Sequence, residues 1–276
     1  MTLKGKRILI TRPASQAGDL AAGLKTLGAE VYSLPAIKIV PPKSYRPLDL
    51  AADKILAYSA GGLGRRNPPY DWILFTSANT VRIFMSRLQK RGAAANGRGP
   101  LIQGIKTCAI GPATSAAIKE FGEPVTKMAR EFRAESMAPA LGPLRGKKIL
   151  LPRASKARDA LPKLLKKRGA RVEILEAYRT RAESASKGKI RALMLRRGID
   201  WVTFTSSSTV EHFMSFFSAG ERKSLFLRTR GASIGPITSR TLKSFGVVPA
   251  VEAKPYTAKA LLDAIRRYEN RPPGLS

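Results

Sequence analysis

Short apolar runs alternate along the chain with stretches in which apolar side chains recur every three or four residues. Ile8-Leu9-Ile10 is followed by Leu20, Leu24 and Leu27 on one helical face. Trp72-Ile73-Leu74-Phe75 is followed by Val81, Phe84, Met85 and Leu88. A short continuous apolar run closed by Thr, Ser, Pro or Gly reads as a buried strand, and the periodic stretch after it as an amphipathic helix. Gly28 falls where a left-handed C-cap would end the first helix. Strands alternating with helices predict parallel sheets covered on both faces. The fold class expected is therefore α/β, with two doubly wound domains.

The pattern repeats. Ile8-Leu9-Ile10-Thr11-Arg12-Pro13 and Ile149-Leu150-Leu151-Pro152-Arg153-Ala154 open matching segments, and 149 − 8 and 169 − 28 both give an offset of 141 for the runs and for Gly28 and Gly169. Asp71-Trp72-Ile73-Leu74-Phe75-Thr76-Ser77 matches Asp200-Trp201-Val202-Thr203-Phe204-Thr205-Ser206, and Ile110-Gly111-Pro112 matches Ile234-Gly235-Pro236. Three blocks in one order make the chain two copies of one unit. The extended stretches from Tyr32 to Val40 and from Glu173 to Arg181 look too long for single internal strands, and read as two crossings of a hinge. Residues 1–38 with 177–276 would then form one discontinuous domain, and 40–175 an inserted second. Loops are expected from Ala60 to Tyr70 and from Ala93 to Pro100.

Composition removes much chemistry. Among 276 residues, Cys108 is the only cysteine and His212 the only histidine. Disulfide frameworks, Cys/His zinc sites and iron–sulfur ligation need more of both. His212 lies inside a predicted helix with no catalytic partner near it in sequence, and reads as structural. Cys108 reads as core, and Trp72 and Trp201, at equivalent positions, as packing residues. The first apolar run is too short for a signal-peptide core, and nothing approaches a membrane span. A soluble cytoplasmic protein is expected.

Six turns, after Ile10, Phe75, Ile110, Leu151, Phe204 and Ile234, would lie at the carboxyl edges of parallel sheets, where ligands bind. Each would bring a helix N-terminus with free N–H groups and a positive dipole end. Ser77, Thr114, Ser206 and Thr238 read as N-caps there. The set favours an anionic small molecule, although neither the Rossmann nor the P-loop glycine spacing occurs. Fifty Lys and Arg against nineteen Asp and Glu give a net charge of +31. The charge thickens from Lys147 to Arg197, with 17 basic and 4 acidic residues. Lys163, Lys166 and Lys167 follow a helical surface without interleaved aromatics, so a solvated basic face is favoured over a nucleic-acid interface. Tyr178, in Ala177-Tyr178-Arg179-Thr180, has Ile37 as its repeat partner. A phenol standing where the other copy is aliphatic can donate a proton or a hydrogen bond.

Thr76-Ser77-Ala78-Asn79-Thr80-Val81, the two Ile-Gly-Pro turns and Ala177-Tyr178-Arg179, in this order, resemble the uroporphyrinogen-III synthase family over roughly Lys6 to Ile265. The resemblance implies two flavodoxin-like parallel-sheet domains joined by a two-stranded hinge, with the active site in the cleft between them. It implies closure of hydroxymethylbilane, a linear tetrapyrrole with eight carboxylates, to uroporphyrinogen III. Water is lost and the last ring is inverted through a spiro intermediate, with no cofactor and no metal. Tyr178 matches the family's tyrosine that assists departure of the hydroxyl group. Thr114, Thr238, Ser77 and Ser206 match residues lining its site, and Thr11, Arg12 and Arg153 are further substrate-binding candidates. The partner implied is this polycarboxylate alone, with no membrane and no nucleic acid, and a monomer is expected. The rival readings are a two-domain binder of an anionic small molecule without chemistry and a basic nucleic-acid-binding protein.

Overall fold

The computed structural model describes residues 2–61, 67–92, 101–130 and 134–271, apart from the side chains of Ser15 and Arg197. The loop expected over 93–100, and 62–66 of that expected over 60–70, lie outside the described residues. In chain order the elements are β1 (Arg7–Ile10), α1 (Gly18–Thr26), β2 (Glu30–Ser33) and β3 (Ile37–Val40). Next come α2 (Arg46–Ala60), β4 (Trp72–Phe75), α3 (Ala78–Gly92), β5 (Lys106–Ala109), α4 (Pro112–Glu120), β6 (Lys127–Met128) and α5 (Met137–Ala140). These are followed by β7 (Lys148–Ala154), α6 (Ala160–Lys167), β8 (Arg171–Ala182) and α7 (Ser184–Ala192). The last are β9 (Trp201–Phe204), α8 (Ser207–Met214), α9 (Ala219–Phe226), β10 (Arg230–Ser233), α10 (Pro236–Ser244), β11 (Val251–Glu252) and α11 (Ala258–Glu269).

Two compact units result, Met1–Ile39 with Thr180–Ser276, and Val40–Arg179. Ala177, Tyr178 and Arg179 fall in the second unit, because the ladder between β7 and β8 continues through them: the Ser155 amide donates to the Tyr178 carbonyl at 2.9 Å.

The first unit is built on a sheet of order β11-β10-β9-β1-β2, with every neighbouring pair parallel. Alternation along the strands divides its core. Leu9, Val202 and Phe204 pack with Val210 and Phe213 of α8, and Ile8, Ile10 and Trp201 pack with Leu20 and Leu24 of α1 and Leu261 and Ile265 of α11. Each such side chain, fully buried, contributes about 1.5–3 kcal/mol.

The second sheet has the order β3-β8-β7-β4-β5-β6, parallel from β8 through β6. Trp72, Leu74, Ile149 and Leu151 face Met137 of α5 and Leu161 and Leu165 of α6. On the other face Phe75 meets Phe84 of α3, ring centroids 6.0 Å apart. Val81, Phe84, Met85 and Leu88 are all wholly buried, as the helical stripe predicts.

Counted in its own chain order, the first unit reads 2-1-3-4-5, the flavodoxin-like order. In the second, the five strands from β8 to β6 read the same once β7 is counted first, and β3 is added beside β8 at the edge. Matching blocks are thus exchanged: β1 and β2 of the first copy share a sheet with β9 and β10 of the second, while β7 and β8 share one with β4 and β5.

The expected elements needed three revisions. The stretch from Tyr32 to Val40 is two strands, because Leu34 and Ala36 turn their amides to the carbonyls of Ile10 and Thr11 around Pro35. β7 runs on past Leu151 to Ala154, since its pairing with β8 continues that far. The segment after Lys43 holds α2, which buries Leu48, Ala51, Ala52 and Ile55. Among the described residues no helix is long and apolar enough to cross a membrane.

Candidate functional site

In a parallel sheet every strand ends at the same edge, so the sheet order decides which candidate residues become neighbours. In the second unit the carboxyl ends of β8, β7, β4 and β5 bring Tyr178, Arg153, Ser77 and Thr114 to four adjacent strands. In the first, β1, β9 and β10 bring Thr11 and Arg12, Ser206 and Thr238 to three. Both sets include the point where the strand order reverses, where open α/β sheets leave a crevice for ligands.

Ser77 starts α3. Its Oγ accepts the Thr80 amide at 3.1 Å and lies 2.8 Å from Thr80 Oγ1. Tyr178 Oη stands 3.5 Å from the same Ser77 Oγ, on a side chain only 8% exposed. A buried phenol ring with its hydroxyl at a helix start has a fixed position and a polar end, which suits a proton or hydrogen-bond donor. Ser206 repeats the cap in the first unit, accepting the Thr209 amide at 3.2 Å.

Thr114 and Thr238 are not N-caps. Gly111 and Gly235 take that position in extended backbone, and proline follows each at the first helical residue, where its missing N–H costs nothing. The threonines sit one turn further in, 3% and 4% exposed, and no described residue hydrogen-bonds either hydroxyl. Two buried side chains with unengaged hydroxyls beside free helix N–H groups are suited to accepting a carboxylate.

The turns after β1 and β7 also differ from expectation. α1 and α6 start only at Gly18 and Ala160, without side-chain caps, and β7 is followed by a loop tied to β8. Thr11 is wholly buried and donates to the Thr203 carbonyl at 2.7 Å, so its hydroxyl is spent joining strand ends. Arg153 is occupied as well, donating to Asp159 Oδ1 at 2.7 Å and to the Arg158 carbonyl at 3.0 Å. Arg12 is different. Burial lowers its pKa, the Asp19 charge partly offsets this, and Nη2 donates to Gln16 at 3.2 Å. Its Nε is buried with no hydrogen-bond partner among the described residues. An anion arriving there would supply the missing acceptor and the missing charge.

Sequence reasoning passed over Tyr256. Its ring lies against the start of α10, so that a Cβ on Gly235 would stand 3.1 Å from Tyr256 Cδ1. Gly235 next to a helix-opening proline was the available signal, but nothing in the sequence pairs it with residue 256. His212 is half-buried in α8. Burial pushes the Cys108 thiol up to about 12, which suits a core residue rather than a nucleophile. Lys163, Lys166 and Lys167 are exposed on α6, opposite the buried Leu161 and Leu165.

The fold and edges define a class: a protein of two flavodoxin-like parallel-sheet units whose polar helix starts gather at strand carboxyl ends. The family model for uroporphyrinogen-III synthase HemD matches residues 18–263. The chain is 31% identical over 271 residues to uroporphyrinogen-III synthase of Synechococcus elongatus, covering 96% of each. It is 32% identical over 209 residues to a putative uroporphyrinogen-III synthase of Methanothermobacter thermautotrophicus, covering 73% of this chain and 79% of that one. A mutant uroporphyrinogen III synthase from Thermus thermophilus has a similar fold, with a TM-score of 0.63, 20% identity and coverage of 95% and 98%. The enzyme from Helicobacter pylori does too, with a TM-score of 0.56, 18% identity and the same coverage. The chain belongs to the uroporphyrinogen-III synthase family.

Proposed function

We propose that this protein closes hydroxymethylbilane to uroporphyrinogen III, with Tyr178 as the group that assists loss of water. Family membership supports the reaction, and the observation that carries the role of Tyr178 is its buried hydroxyl 3.5 Å from the cap of α3. The hydroxymethyl oxygen takes a proton and leaves as water, breaking the C–O bond and leaving a cation stabilised by the electron-rich pyrrole. Attack by the last pyrrole on that carbon forms the spiro intermediate, which reopens and recloses with the ring inverted. Hydroxide is a poor leaving group at neutral pH, so a donor held at the departing oxygen lowers the barrier. Ser77, itself fixed by the Thr80 amide, holds the phenol in place.

The substrate's carboxylates are taken by the starts of α3, α4, α8 and α10, with Ser77, Thr114, Ser206, Thr238 and Arg12 beside them. The buried, unpartnered Nε of Arg12 supports its place in this set. Thr11 and Arg153 act behind it, Thr11 joining strand ends and Arg153 closing the loop after β7. The reading takes the enzyme as a cytoplasmic monomer working without metal or cofactor. The test is to supply hydroxymethylbilane to the purified, metal-free protein and separate the I and III isomers after oxidation. Uncatalysed closure gives the I isomer. Predominance of III supports the reading, and only I across a range of pH and salt overturns it.

A further inference from the structure

β8 carries one residue more than β7 where Tyr178 stands. The two strands pair one for one from Lys148 opposite Arg171 to Arg153 opposite Glu176, and then Ala154 pairs with Tyr178. Ala177, wholly buried, is the extra residue of a β-bulge. Side chains alternate along a strand, so an added residue exchanges the faces served by everything after it.

The exchange has a definite direction here. Before the bulge, Val172 packs with Ile149 and Leu151 against Leu161 and Leu165 of α6. In unbroken alternation Val172, Ile174, Glu176 and Tyr178 would share that face, and the phenol would point towards α6. With the bulge, Tyr178 stands opposite Ala154, in the series Leu150, Pro152, Ala154. Leu150 pairs with Ile73, which shares its face of β4 with Phe75, and Phe75 packs on Phe84 of α3. That is the face whose helix begins at Ser77, the residue Tyr178 reaches.

We propose that this bulge, one residue more on β8 than on β7, is what aims Tyr178 for the reaction. The proposal rests on the reading of Tyr178 given above. One alanine inserted after Arg153 gives Ala177 a partner on β7, restores unbroken alternation through Tyr178 and turns the phenol to the α6 face. The insertion should lower kcat by about 10²-fold or more, matching Tyr178→Phe, while KM stays within about threefold. Adding Tyr178→Phe to the insertion should then cost nothing further, because the phenol is already out of place. A bulge with a structural role alone gives two losses that multiply.

An insertion inside a buried strand can unfold the unit, so two further measurements stand beside it. Deleting Ala177 removes the bulge but keeps Tyr178 opposite Ala154, and should leave Tyr178 aimed and kcat within about threefold of the unaltered enzyme. In the unaltered protein, a nuclear Overhauser contact between the Tyr178 ring and the Ser77 β-protons reads the aim directly, and its absence overturns the proposal whatever the variants do. A folded insertion variant with undiminished kcat overturns it too, if Tyr178→Phe is impaired. Full activity in Tyr178→Phe would instead remove the underlying reading of the tyrosine.

Discussion

Tyr178 and Glu123 show at the level of single residues how burial decides what a polar group can do. The phenol of Tyr178 keeps its ring packed and its hydroxyl at Ser77, so Tyr178→Phe removes one oxygen and little packing. General acid assistance is worth about 10²–10⁴-fold, so steady-state kinetics should show kcat falling by at least about 10²-fold with KM little changed and Tm close to that of the unaltered protein. Glu123 is 2% exposed, and its Oε1 accepts the Leu101 amide while Oε2 is buried without a partner among the described residues. Burial raises its pKa, and the hydrogen bonds from the Leu101 and Ile102 amides only partly offset this. A carboxyl whose folded pKa is raised favours folding at low pH and loses that contribution as pH rises through the folded value. Glu123→Gln should therefore raise Tm at pH 7–8, with a gain that vanishes below the unfolded carboxyl pKa of about 4.3. Thermal melts across pH would decide it: an unchanged or lowered Tm at pH 8 means the buried carboxylate is better compensated than its orphan oxygen indicates.

Secondary-structure elements show why some starts were legible and others were not. Ser77 and Ser206 each stand two residues after a strand, and their caps follow from local sequence alone. The uncapped starts of α1 and α6 depend on strand ends held elsewhere, at Thr203 for Thr11 and at Tyr178 for Ser155, which no local pattern reveals. The bulge at Ala177 is invisible for the same reason, since it exists only relative to β7. The helices after Ile110 and Ile234 were read correctly as elements but wrongly as to cap, because the Gly-Pro pair closes the start without a side chain. This distinction sets the expected effects. Ser206→Ala should cost about 1 kcal/mol of stability by loss of a cap, measured by denaturant melts. Thr114→Ala and Thr238→Ala lose no hydrogen bond within the protein, so their stability should hold while KM rises by several-fold, since the neighbouring helix amides still bind the carboxylate. Loss of stability without a change in KM would return both threonines to a packing role.

The whole molecule is defined by the exchange of repeat halves between two sheets and by its charge. The exchange was legible because three blocks keep their order at different offsets, and because the two extended stretches could be crossings. The charge was legible as a number but not as a purpose. With 50 basic and 19 acidic residues, many acids are already held in ion pairs, such as Asp49 with Arg87 and Glu269 with Lys6, so the surplus is basic side chains at the surface. A net +31 creates a long-range field that attracts a substrate with eight carboxylates and raises the rate of encounter by about 10–10³-fold at low salt. That field is screened over about 10 Å at 0.1 M salt and about 3 Å at 1 M, whereas contacts at the helix starts are short-ranged and partly shielded from ions. Salt should therefore act on capture far more than on the bound complex. Between about 0.05 and 0.5 M salt, kcat/KM should fall about tenfold or more while kcat changes by less than about twofold. Replacing the exposed Lys163, Lys166 and Lys167 of α6 with glutamine should flatten the salt dependence only slightly, because they are three charges among fifty and not a dedicated patch. Kinetics at a series of ionic strengths would test both statements, and a kcat/KM that ignores salt would show that the surplus charge serves something other than this substrate.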